Sequence, residues 1–126
     1  MTTDRAAYGD GALRIISTYD PPGLVIDGEI DESTHCVLVR AVRERACGLS
    51  EIHFWLGGVR YCDVAGLRAI VSLTVGSGVP GGTYHHVTLH QVPSRLATVL
   101  RLAGWDAAPG LTLVEPGRGA SEPAIS

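Results

Sequence analysis

Residues 51–71 read EIHFWLGGVRYCDVAGLRAIV, and two hydrophobic periods meet inside them. From Glu51 to Leu56 the apolar residues alternate, with Ile52, Phe54 and Leu56 on one side, which is the two-residue period of a strand. From Asp63 onward Leu67, Ile70, Val71 and Val75 recur at helical spacing. Gly57 and Gly58 are expected to end the strand, and Asp63 to open the helix. A strand that feeds a helix is half of a β-α-β unit. Whether the sheet is parallel therefore depends on what flanks this stretch.

Upstream, Leu13–Thr18 and Leu24–Ile30 read as two strands around the turn Asp20-Pro-Pro-Gly23. From Ser33 to Cys47 the period becomes helical, with Val37, Leu38, Ala41, Val42 and Ala46 inward and Arg40, Arg43 and Glu44 outward. Asp31, Ser33 and Thr34 are candidate caps, and Gly48 is a stop. Downstream, Gly76–Gly82 reads as a connector and His86–Val92 as a strand. Pro93 suits the first turn of a helix whose stripe is Leu96, Val99, Leu100 and Ala103, and Gly104 ends it. Leu111–Val114 is a last short strand. The order ββαβαβαβ predicts one small α/β domain, a mixed β-sheet flanked by α-helices, over residues 11–115. Residues 1–10 and 116–126 are expected to be flexible ends.

The bulk numbers agree with a single domain. The chain has 126 residues, 45% hydrophobic and 18% charged, enough apolar material for a core. The net charge is -3, every basic residue is an arginine, and no basic run occurs, which argues against a nucleic-acid partner. No leader-like or membrane-length apolar run is present, so the expectation is a cytoplasmic protein with no membrane partner. Cys36, Cys47 and Cys62 have neither metal spacing nor an even disulfide count and are expected to be buried structural thiols.

The reactive side chains do not assemble into a reaction centre by spacing. His86 and His90 share a strand face but stand about 13 Å apart, too far for one ion, so no metal site is expected. Cys36 and Cys47 would be about 16 Å apart on one helix. The glycines of 76–82 lack a following Lys-Ser/Thr and come after a helix, so they do not form a phosphate loop. Glu29 and Asp31 read as a strand end leading into a helix cap, and Ser94 as part of a first helical turn. No catalytic residue and no cofactor is expected.

Two stretches remain, Gly28-Glu29-Ile30-Asp31 and Cys62-Asp63-Val64-Ala65-Gly66-Leu67, both at strand-to-helix junctions. Parallel strands bring such junctions to one edge of a sheet, where partners commonly bind. With the late run Leu100-Arg-Leu-Ala-Gly-Trp105, and in this order, they resemble a STAS domain, the fold of anti-sigma factor antagonists, across about residues 11–115. The resemblance implies a binding module rather than an enzyme. Its partner would be an anti-sigma factor of the ATPase/kinase type, and its effect would be on sigma-factor-dependent transcription. Asp31, Ser33, Asp63, Val64, Ala65, Gly66 and Arg68 are the partner-binding residues it implies. Family members typically carry a phospho-acceptor within Asp-Ser-Ser/Thr-Gly-Leu. Here Val64 and Ala65 fill those two positions, and neither can take a phosphoryl group. The expected oligomeric state is a monomer or weak homodimer. Two other readings stand beside this one: a STAS subunit of a larger sensory or lipid-transport complex, and a module sensing a small ligand or nucleotide.

Overall fold

The structure, a computed structural model, describes residues 6–9, 12–75 and 85–114. Six strands form one sheet in sequential order: β1 (Ala6–Gly9), β2 (Leu13–Tyr19), β3 (Pro22–Ile30), β4 (Glu51–Cys62), β5 (His86–His90) and β6 (Leu111–Val114). Pairs β1–β2 and β2–β3 are antiparallel; β3–β4, β4–β5 and β5–β6 are parallel. The parallel crossovers contain α1 (His35–Ala46), α2 (Val64–Val71) and α3 (Ser94–Leu102). The five expected strands, the three helices and the mixed sheet are all present.

Three boundaries differ by more than two residues. A sixth strand, Ala6–Gly9, pairs with β2 inside the region expected to lie outside the domain. Its four residues are too few to show a period. Gly57 and Gly58 do not end the third predicted strand, which runs on to Cys62. They sit where the β3–β4 register shifts between Val25 and Asp27. A Cβ at 57 would meet the Gln91 side chain at 2.5 Å, and one at 58 would overlap the Asp27 carboxylate. Glycine here permits close approach at a bulge, a role that in sequence looks the same as a strand stop. The helix opened by Asp63 is also shorter than its apolar stripe, because Ser72–Val75 form a 3-10 turn. The connector at 76–82 and the tail from 116 lie outside the described residues.

All three helices feed one core on one side of the sheet. Leu38, Ala41 and Val42 of α1, Leu67 and Ile70 of α2, and Leu96 and Leu100 of α3 pack with Ile15, Ile26, Phe54, Leu56 and Leu89. Burying a large aliphatic side chain contributes about 1.5–3 kcal/mol. That packing is what holds α2, since a helix of 8 residues is marginal alone. The opposite face has no helix among the described residues. It presents Arg14, Val25, Asp27, Glu51, His53, Trp55, Thr88 and His90, the alternate positions of the same strands. Trp55 is only 2% exposed, yet it is not part of the helix-side core.

The β2–β3 hairpin is tied to the helix layer by Arg45. Its guanidinium donates to the Thr18 and Gly23 carbonyls and lies 5.2 Å from the centre of the Tyr19 ring.

Candidate functional site

The parallel arrangement brings the ends of β3 and β4 to one edge. The Asp63 amide donates to the Ile30 carbonyl at 3.0 Å, so the two junctions picked out in the sequence are directly bonded.

At the first junction Asp31 organises the turn into α1. Its Oδ1 accepts from Ser33 Oγ at 2.7 Å and from the Ser33 and Thr34 amides at 2.9 and 3.3 Å. The Ser33 hydroxyl, together with these amides, holds the Asp31 carboxyl below its usual range against a smaller opposing effect of desolvation. Asp31 therefore stays ionised at neutral pH. Thr34 is 3% exposed; its hydroxyl donates to the Glu29 carbonyl and accepts from the Asp31 amide. Ser33 and Glu32 are exposed beside it.

At the second junction Asp63 has extended backbone, and its Oδ1 accepts from the Gly66 amide at 2.8 Å. This is a helix N-cap. Gly66 is buried, and a Cβ there would overlap Ile30 Cγ2. Its closeness is to its own sheet rather than to solvent. Val64 is 54% exposed, and Ala65 and Arg68 are exposed on the same turns of α2.

Among the expected site residues, Ser33, Val64, Ala65 and Arg68 thus face solvent, Asp31 and Asp63 are half-buried, and Gly66 is turned inward. The sequence did not single out Tyr61, which is 53% exposed just before the cap. An aromatic next to a helix start was the available signal. A second register shift, between Gly28 and Glu29, leaves both Arg60 and Tyr61 exposed, and alternation alone does not predict that. Arg60 lies 3.9 Å from Glu29, and its carbonyl accepts from Arg95. The edge therefore carries exposed apolar side chains (Tyr61, Val64, Ala65) together with the carboxylates Glu29, Asp31 and Asp63 and the arginines Arg60 and Arg68.

A family model described as Mlab, STAS domain matches residues 15–115. The chain belongs to the STAS family. No curated protein matches it. STAS domains are generally regulatory binding modules that engage partner proteins rather than enzymes. Among the described residues no three His, Cys, Asp or Glu side chains converge on a metal position, and no helix is long and apolar enough to cross a membrane.

The cysteines correct one expectation. Cys36 and Cys47 are exposed, not buried in the core, and only Cys62 is partly buried. At positions 36 and 47 they continue the exposed stripe of Arg40 and Arg43, so the helical spacing itself turns them away from Leu38, Ala41, Val42 and Ala46. Burial, with the neighbouring Asp63 charge, pushes the Cys62 thiol up to about 12. It is a thiol and not a thiolate at neutral pH, so it is a poor redox group.

In this STAS domain Asp63→Ala removes the cap and leaves the Gly66 amide without its partner. The expected loss is about 1 kcal/mol of stability, read as a lower urea midpoint with an unchanged slope.

Proposed function

We propose that this STAS domain is an anti-sigma factor antagonist-like regulator. Its edge formed by Asp31, Ser33, Asp63, Val64, Ala65 and Arg68 docks onto an anti-sigma factor of the ATPase/kinase type. Docking is not switched by phosphorylation at the usual position. The observation that carries this reading is the exposed, hydroxyl-free Val64-Ala65 pair, capped by Asp63 and bonded through it to the end of β3. An apolar centre rimmed by charge is the composition of a protein interface. Of the other hydroxyls, Thr34 is 3% exposed and engaged inside its own turn, while Ser33 and Ser72 are exposed and donate to Asp31 Oδ1 and the Ala69 carbonyl.

The test restores the missing chemistry. Ala65→Ser places a hydroxyl on the exposed turn. The variant is expected to gain phosphate from ATP in the presence of such a kinase, while the native chain takes none. Equal labelling of both proteins would contradict the reading.

The second reading is a STAS subunit built into a larger complex. It is favoured by the same lack of a hydroxyl, since a permanently apolar edge suits a constant partner as well as an exchanged one.

A further inference from the structure

The face of the sheet without helices carries a chain of titratable groups that the docking edge does not use. His53 Nε2 lies 3.0 Å from Glu51 Oε2, and His53 Nδ1 lies 2.8 Å from His90 Nε2. His53 and Glu51 are two residues apart on one face of β4. The β4–β5 register puts His90 opposite Trp55, diagonal to His53. The His90 ring lies flat against the Trp55 indole, 4.6 Å between centroids and 6° between planes. It also stacks on His53 at 5.1 Å and 21°.

The hydrogen bonds fix where protons can sit. The Glu51 carboxylate accepts, so His53 Nε2 carries a hydrogen. In neutral His53 the Nδ1 lone pair then accepts from the His90 Nε2–H. This leaves a lone pair on His90 Nδ1, which is buried without a hydrogen-bond partner among the described residues. One added proton is accommodated. His53 becomes an imidazolium between Glu51 and His90, its Nδ1–H donates to His90 Nε2, and the His90 hydrogen resides on Nδ1. A second proton is not accommodated, because both facing nitrogens would then carry hydrogens 2.8 Å apart with no acceptor between them.

We propose that His53 and His90 form a proton-gated latch over Trp55: closed with up to one extra proton shared by the pair, and opened by a second proton, which separates the rings and uncovers the indole.

Among the described residues, none facing the pair supplies a further charge to hold it together when doubly protonated. From β3 the facing positions are Gly23 and Val25; from β6 they are Thr112 and Val114. The other ionisable groups on this face among the described residues are His86, opposite Glu51, and Asp27 and Arg14, which stand opposite each other on β3 and β2 beyond Val25. Among the described residues Glu51 is the one acidic group that touches the pair, and it is already bonded to His53. Burial, with His53 beside it, lowers the His90 value below the usual 6.5. A depressed histidine leaves stability intact above about 6.5 and withdraws it as pH falls through the folded value, so acid is the opening direction.

The test uses the full chain with Trp105→Phe, which leaves Trp55 as its one tryptophan. Acrylamide quenching of Trp55 is followed from pH 8 to 4.5 alongside far-UV circular dichroism. The expected result is a several-fold rise in quenching at a pH where the dichroism is unchanged. His90→Phe keeps a flat ring over the indole but cannot be protonated, and it is expected to abolish the rise. Quenching that stays flat in a folded chain overturns the latch. So does a rise that coincides with loss of dichroism, or an identical rise in His90→Phe. Proton-nitrogen spectra of the imidazoles give an independent reading. Two separated steps shared by both rings fit the latch, and two independent titrations near the free value contradict it.

Discussion

Gly28→Ala is expected to destabilise the domain by about 3–5 kcal/mol, the largest effect of any single methyl group considered for this chain. Two costs combine at this position. Gly28 has φ of 109°, a backbone conformation that side chains rarely adopt. A Cβ there would also overlap the Ala12 carbonyl oxygen, a backbone atom that cannot swing away. That carbonyl accepts from the Glu29 amide at 2.7 Å, so relieving the overlap breaks this hydrogen bond at the open end of the β2–β3 hairpin, beside the proposed docking edge. At roughly 4 °C per kcal/mol for a domain of this size, the melting temperature should fall by about 12–20 °C. Gly48 is the control: its φ is 82° but a Cβ meets nothing within 4 Å, so Gly48→Ala carries only the conformational part. Equal losses for the two variants would remove the steric account of Gly28.

The second large effect is on binding. Ala65→Glu should weaken docking about 100-fold while the fold stays intact. Ala65 is exposed on the first turn of α2, so the substitution creates no clash in the free chain, and an acidic residue near a helix N-terminus is mildly favourable there. In a complex the same carboxylate would be desolvated beside Val64, with Asp63 adjacent. Leaving a charge buried and unpaired in an interface costs about 2–5 kcal/mol, and 1.4 kcal/mol is tenfold. Arg68→Ala, at the polar side of the edge, should act more weakly and mainly on the association rate. Wild-type affinity in Ala65→Glu would mean that the partner binds elsewhere on the domain.

The period changes along the chain carried most of the fold. Alternation over 51–56 and helical spacing over 63–71 were enough for a parallel unit, because a strand followed by a helix leaves few other arrangements. What was not legible depended on register. Gly57 and Gly58 read as a stop because a bulge that admits Gln91 and Asp27 uses the same residues. His53 and His90 are 37 positions apart, and only the pairing of β4 with β5 brings their rings together. Spacing within one strand relates His86 to His90 and says nothing of a ring on the neighbouring strand. At the edge, Asp63 was legible as a cap, whereas the inward turn of Gly66 and the exposure of Tyr61 follow from how α2 meets Ile30.

Titration calorimetry of the full chain against the nearest encoded anti-sigma factor of the ATPase type, with and without prior incubation with ATP and Mg²⁺, tests the central claim most directly. Tight binding that is unchanged by ATP is the result expected for a docking edge without a phospho-acceptor at position 65. Binding lost after ATP would place a working phosphosite elsewhere on the domain, and absence of binding in both conditions would contradict the antagonist reading altogether.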